Sequence, residues 1–337
     1  MTDNIIFAIN AVGPLIILIL LGVFFQKIQF LPRNFFEQGN KLVFKILIPC
    51  STYCNIYSCP SLADINIAFM LYGVGIAFVI FFLGLFTTHI FIREKISRSA
   101  AHQCTFRSNI PVLGAALATS LAGNEGAILL ATFMMAIIPL LNIFAVITLA
   151  AHENTSGKKK KAGDVLLNIL KNPLIIACIL GFLTLLIRAC LTPGGGAAPI
   201  FTIKENAPFL YDAVSKLAAA TTPISLIVLG GLVDFSAIGG KLRNIIFGVA
   251  WRLVLAPVIS IVGAVAISQL HILNFGVAEY AVLLSTFGAS IAVASAPMTA
   301  EMGGDAELAR QYVVWTNVFL VVSMPVEIIA LRACGLI

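Results

Sequence analysis

Charge is scarce in this chain: 11% of its 337 residues are Asp, Glu, Lys or Arg, against about 25% in an ordinary soluble domain. That shortage excludes a soluble globular fold. Histidine occurs four times, and no acidic metal-binding cluster or Ser with a positioned His is legible, which argues against an enzyme working inside a membrane. The seven cysteines (Cys50, Cys54, Cys59, Cys104, Cys178, Cys190, Cys334) are odd in number and scattered through apolar stretches. They read as small buried hydrophobes rather than a disulfide framework. Cys50 and Cys54 would share a helix face, but no His or third Cys stands nearby to complete a zinc site. No metal or cofactor is expected. No Lys or Arg precedes the first apolar run, so the positive segment of a signal peptide is missing and the first span is expected to be retained. The net charge of +6 sits in brief loops, with no basic face interleaved with aromatics, so nucleic acid is not an expected partner.

What is present is hydrophobic sequence: 60% of the residues and a mean hydropathy of +1.02. A bilayer core takes about 20 apolar residues per helix. That length predicts spans near 5–25, 41–58, 65–91, 105–122, 126–150, 167–190, 209–233, 245–269, 277–300 and 312–332. Lys158-Lys159-Lys160-Lys161 divides them into two sets of five, read as a first repeat at 1–151, a cytoplasmic linker at 152–165 and a second repeat at 166–337. Five is odd, so the second half enters the bilayer inverted, the pattern of secondary transporters whose site lies between the halves at the midplane. The expected fold is therefore an all-α membrane protein of ten transmembrane helices in two inverted repeats. Placing the N-terminus outside puts sixteen Lys and Arg residues in cytoplasmic segments and four outside, with Arg252 left inside a span. The positive-inside rule then directs both termini outward, in a bacterial inner membrane.

Proline offers a second view of the repeat. Pro14, Pro49, Pro111 and Pro139 would pair with Pro173, Pro223, Pro297 and Pro325. The interval from Pro111 to Pro139 is 139 − 111 = 28 residues, and from Pro297 to Pro325 it is 325 − 297 = 28. The earlier intervals differ, 49 − 14 = 35 against 223 − 173 = 50, so the match is partial.

Spans four and nine carry Gly, Pro, Asn and Ser where a midpoint should be: Ser108-Asn109-Ile110-Pro111-Val112-Leu113-Gly114, and the stretch from Gly288 through Ser290, Ala294 and Ser295 to Pro297. Proline removes a donor and displaces the carbonyl four residues back. In lipid the freed groups survive only inside protein or beside a wet cavity. A half-helix starting at the midplane offers free N–H groups and a positive dipole end, which suit an anion. The alternative is a pair of kinked packing helices with small residues at their crossing. Thr52 and Thr221-Thr222 either line the same cavity or bond back to their own helices. Asp212 and Lys216, at i, i+4, read as a local ion pair; together with Arg252 and Glu279 they are the candidates for a coupling role. Arg107 begins span four and could draw anions from the cytoplasm, but as an inside-positive anchor it needs no further role. His89, His102, His152 and His271 fall near span ends or loops, so no buried histidine relay is expected.

Over nearly its whole length the chain resembles the auxin efflux carrier family, which includes bacterial malate/malonate-type permeases and plant auxin exporters. The resemblance rests on Asn109 to Leu117, Asn172-Pro173-Leu174 with Leu180-Gly181, Ala220-Thr221-Thr222-Pro223-Ile224 with Leu229-Gly230, and Ala296-Pro297-Met298-Thr299-Ala300-Glu301-Met302-Gly303-Gly304-Asp305. It implies a scaffold of spans 1, 2, 6 and 7, a mobile transport unit of spans 3–5 and 8–10, broken helices 4 and 9 crossing at the substrate, and elevator-type alternating access. By position it carries Asn109 and Gly114 onto the crossover and Thr52 onto a polar place on the second helix. The family's prolines would fall at Ala116 and Ser290, whereas this chain has Pro111 and Pro297.

The sequence therefore reads as a carrier for a small organic anion, with Asn109, Pro111, Gly114, Ser290, Ala294, Ser295, Pro297 and Thr52 as the substrate site. A proton or a sodium ion is the expected coupling ion, and a homodimer is compatible with the reading. The rivals are a sodium-coupled bile-acid-type symporter and a membrane sensor using the same cavity.

Overall fold

The computed structural model describes residues 2–58, 66–153, 171–190 and 202–337. Among these the chain is helical, with one isolated β-bridge. Cys59, the lysine run at 158–161, nearly all of the expected linker and the Gly/Pro-rich 192–201 lie outside the described residues.

The helices are α1 (Thr2–Lys27), α2 (Arg33–Leu42), α3 (Ile48–Tyr57), α4 (Ile67–Phe91), α5 (Lys95–Phe106), α6 (Ala115–Glu153) and α7 (Pro173–Cys190). They continue with α8 (Ile203–Asn206), α9 (Pro208–Leu232), α10 (Ile238–Ala250), α11 (Ala256–Gln269), α12 (Val277–Phe287), α13 (Ser295–Glu301) and α14 (Ala306–Ala333). Among the described residues five helical stretches are long and apolar enough to cross a membrane: Ile67–Phe91, Ile110–Ala151, Pro208–Leu232, Phe235–Gln269 and Ala306–Ala333. Val12–Lys27, Pro173–Arg188 and Val277–Phe287 are shorter apolar helices. α4 shows the reason for its length: apolar on all faces, it buries Phe69, Ile76 and Ile80 while Leu71, Phe82 and Phe86 point outward. That is what a helix between protein and lipid requires.

Proline shapes the other helices. Single π-helical turns at Val43–Leu47 and Trp251–Leu255 stand just before Pro49 and Pro257 and join α2 to α3 and α10 to α11. The wider turn re-satisfies carbonyls that a proline ring displaces. Pro173 was expected inside a span, but it is the first residue of α7, where its missing N–H costs no bond. α6 is two helices joined at Ala122 and Gly123, and Gly123 has φ +58, a left-handed geometry that glycine adopts without strain.

α1 packs along α9, and α3 along α7. The first pair approaches so closely that a Cβ on Gly22 would meet the Ile227 carbonyl oxygen at 2.0 Å, and one on Gly230 the Ile19 carbonyl oxygen at 2.0 Å. Small residues let helix backbones touch in this way. Elsewhere α4 packs on α5 and α6, α11 on α12, α6 on α12, and α5 on α14.

One expectation needs correction at this level. Span four was placed at 105–122, yet its first half begins at Lys95. The segment was too polar to read as a span because Ser97, Ser99, His102, Gln103 and Thr105 are buried against protein rather than lipid.

Candidate functional site

The two interrupted helices cross at their gaps. α5 stops at Phe106 and a π-helical turn starts at Ile110; α12 stops at Phe287 and α13 starts at Ser295. The gaps pair as an antiparallel bridge between Ser108 and Ile291. Asn109 N–H donates to the Ser290 carbonyl at 2.9 Å, and Ala292 N–H to the Arg107 carbonyl at 3.2 Å. The Arg107 carbonyl lies four residues before Pro111, so it is the acceptor an intact helix would have used at that position. Pro111 has no N–H to give it, and its partner, the Ala292 N–H, comes from the other broken helix.

Both prolines stand inside the half-helix that follows each gap, Pro111 at its start and Pro297 in its first turn. Ser290, one of the places the resemblance reserves for proline, lies in the second gap, while Ala116 is inside α6.

Beside the crossing lies a cavity of about 110 Å³. α3 contributes Ser51, Thr52 and Asn55; α9 contributes Thr221, Thr222 and Ser225; α6 contributes Asn142; the gaps contribute Arg107 to Asn109 and Ala292 to Ala294. The N–H groups of Ile110, Val112, Val293 and Ala294, all lining residues, have no partner among the described residues. Neither do Ser108 Oγ, Asn109 Nδ2 and Ser225 Oγ, all buried. Buried polar groups seldom stay unpaired, so this wall holds hydrogen-bonding capacity that the described residues do not use.

Arg107 is the residue that sequence reasoning misjudged. It is 3% exposed, lines the cavity, and sits at the crossing rather than at a membrane edge. Its guanidinium donates to Gln103 Oε1 at 3.2 Å, Asn142 Oδ1 at 3.1 Å and Met298 Sδ at 3.0 Å. All three partners are neutral, and Arg107 forms no ion pair among the described residues. Its place just before a proline-marked gap was the available signal, obscured because loop-borne arginines are the common case.

Of the other expected site residues, Asn109, Pro111, Ala294 and Thr52 line the cavity. Thr221 also lines it while donating to the Leu47 carbonyl at 2.8 Å. Gly114, Ser290, Ser295 and Pro297 do not line it. Gly114 permits close packing, since a Cβ there would meet the Ser285 carbonyl oxygen at 2.8 Å. Ser290 Oγ donates to Asn317 Oδ1 at 3.0 Å. Ser295 N–H donates to the Ala292 carbonyl at 2.9 Å, within the turn that starts α13.

The coupling candidates are dispersed. Asp212 and Lys216 are both exposed on α9 and, contrary to the local ion pair expected of them, form none among the described residues; water weakens the attraction and two long side chains would have to be ordered. Glu279 accepts the Gly276 N–H at 2.9 Å and caps α12. Arg252 is fully buried, donating to the Thr105 carbonyl at 3.4 Å and to the Phe287 carbonyl. Those carbonyls end the half-helices before the two gaps, so one cation meets two negative dipole ends. His102, expected near a loop, is 1% exposed and held between the Phe81 carbonyl and Thr148 Oγ1, at 2.9 Å and 3.2 Å from its ring nitrogens.

Two further features bear on the site. A second hollow of about 210 Å³, lined by Ser58, Ala115, Thr119 and Met134, shares Asn55 with the central cavity. Among the described residues no cluster of His, Cys, Asp or Glu has the makings of a metal site.

A long, apolar helical chain with paired gaps and a cavity beside their crossing has a counterpart among known families. The family model described as "Membrane transport protein", of the auxin efflux carrier type, matches residues 7–328. The chain belongs to that family. It is a multi-pass membrane protein of a family of transporters rather than enzymes. No protein of curated function matches it.

Proposed function

We propose that this transporter is a secondary carrier for a small organic anion, a carboxylate of the malate or malonate kind, working by elevator-type alternating access. The observation that carries the reading is Arg107: a buried cation lining the cavity at the crossing, surrounded by neutral acceptors. Leaving a charge buried without a counter-ion costs several kcal/mol. A substrate carboxylate would supply the counter-ion, while the free amides of Ile110, Val112, Val293 and Ala294 and the Asn109 carboxamide supply further donors. The size favours a short aliphatic acid over a ring-bearing one such as an auxin or a bile acid, since the cavity holds about 110 Å³ and a cavity that takes benzene is about 150 Å³. No carboxylate lines it among the described residues, so nothing there favours sodium.

The inverted-repeat reading is supported by packing. If the first five spans map in order onto the last five, the α1–α9 contact becomes the α7–α3 contact, and both exist. The α4–α5 contact likewise maps onto α11–α12, and α5 runs against α14 as α12 runs against α6. A scaffold of α1, α2, α3, α7 and α9 and a transport unit of the remaining long helices agree with these contacts, although α1 also lies along α14.

The test is counterflow of radiolabelled malonate in proteoliposomes, with malate and monocarboxylates as competitors. Wild type should accumulate label, which a sensor cannot do. Arg107→Gln should abolish accumulation and Asn109→Ala should weaken it; unchanged uptake in both variants would show that the site is wrong.

A further inference from the structure

We propose that Glu327 is the group that binds and releases the coupling proton, an inference that rests on the carrier reading above. Glu327 lies on α14, inside the membrane-crossing stretch, and no sequence pattern had drawn attention to it. Neither of its carboxyl oxygens has a hydrogen-bond partner among the described residues, and both are buried. It lines a pocket of about 330 Å³ whose walls are almost entirely apolar, including Leu253, Val258, Ile261 and Leu284. A bare carboxylate so placed would cost several kcal/mol, whereas a carboxylic acid keeps most of its stability there. The geometry therefore describes the proton-loaded form.

Its position couples it to the crossing. A Cβ on Gly288, the first residue of the second gap, would stand 2.9 Å from Glu327 Oε2. The preceding residue, Phe287, holds the Arg252 guanidinium. Arg252 is the charged group whose field reaches Glu327, yet the two form no ion pair, and Arg252 Nε is itself unpartnered. From α11 and α12 the facing side chains are apolar; Ser323 of α14 and Cys334 just past its end complete the polar lining, and the pocket runs on to Leu336. Among the described residues no other charged side chain lines the pocket. A small shift of the gap can thus change whether Glu327 faces apolar walls or Arg252. In the second arrangement the carboxyl O–H bond breaks, the electron pair stays on oxygen beside Arg252, and the proton leaves to water.

Two measurements test this on the full-length protein in lipid. Infrared difference spectra across a pH titration should contain a protonated-carboxyl C=O band that Glu327→Gln removes and Glu327→Asp only shifts. In proteoliposomes, an imposed pH gradient should stimulate radiolabelled malonate uptake by wild type. Glu327→Gln should lose that stimulation while retaining counterflow, with a monodisperse elution profile showing that it is folded. A band that persists in Glu327→Gln, or gradient stimulation that survives in it, overturns the proposal. Absence of counterflow in wild type would instead overturn the carrier reading, and the infrared band would still decide whether Glu327 binds a proton.

Discussion

The Arg252 guanidinium donates to the main-chain carbonyl of Phe287, the last helical residue before the second gap. Through its other Nη it also reaches the Thr105 carbonyl at 3.4 Å, at the end of the half-helix before the first gap. The crossing is thus held from two sides: main-chain bonds join the gaps, and one buried cation joins the helix ends that lead into them. Arg252→Leu should leave both carbonyls unpaired, at about 1–3 kcal/mol each. We expect a lower thermal midpoint in detergent by fluorescence unfolding, with Arg252→Lys recovering part of the loss.

Asn142 holds Arg107 in place through its 3.1 Å hydrogen bond. A hydrogen bond to a charged group contributes about 1.5–3 kcal/mol, so Asn142→Leu should raise the KM of the transported anion about tenfold or more. The maximal rate and thermal midpoint should change much less. A KM equal to wild type would show that Asn142 does not position the guanidinium.

The α1–α9 contact depends on Gly22 and Gly230, where a Cβ would fall 2.0 Å from a backbone oxygen of the other helix. A backbone cannot rotate away as a side chain can, so even Gly230→Ala must push the helices apart. Overpacking of this kind costs about 1–3 kcal/mol. The expected outcome is a broadened or aggregated size-exclusion profile, whereas Gly75→Ala, where a Cβ meets nothing within 4 Å, should elute as wild type.

Asp305 caps α14, accepting from Leu308 N–H at 3.0 Å, from Ser97 Oγ at 2.6 Å and from Lys241 Nζ. Burial works against its charged form, but the Lys241 and Ser97 bonds outweigh that and hold its carboxyl below the usual range. A depressed folded-state value stabilises the protein above the unfolded carboxylate value of about 3.9 and loses that stabilisation as pH falls through the folded one. Thermal unfolding followed from pH 7 down should fall more steeply at the acid end in wild type than in Asp305→Asn. Parallel profiles would remove Asp305 from the acid response.

The gaps themselves were legible because proline and small polar residues at a span midpoint leave backbone groups that lipid cannot satisfy. Asn109 and Pro111 followed from the same argument and Thr52 from the family resemblance, and all three line the cavity. Arg107 and His102 were misread for one reason: the polar residues of α5, and Arg107 at its C-cap, are buried against protein, and hydropathy cannot distinguish such a segment from a loop. Ser290 and Gly114 reached the right neighbourhood but turned to packing, because side-chain direction depends on which neighbour arrives, here Asn317 and Ser285. Glu327 left no trace in any local pattern; its surroundings are assembled from α11, α12 and α14.

Arg107 gives its carbonyl to the strand-like bridge and its guanidinium to the hollow beside it. Under the proposed carrier reading, the guest's counter-charge is therefore built into the joint between the two rods, and travels wherever that joint travels.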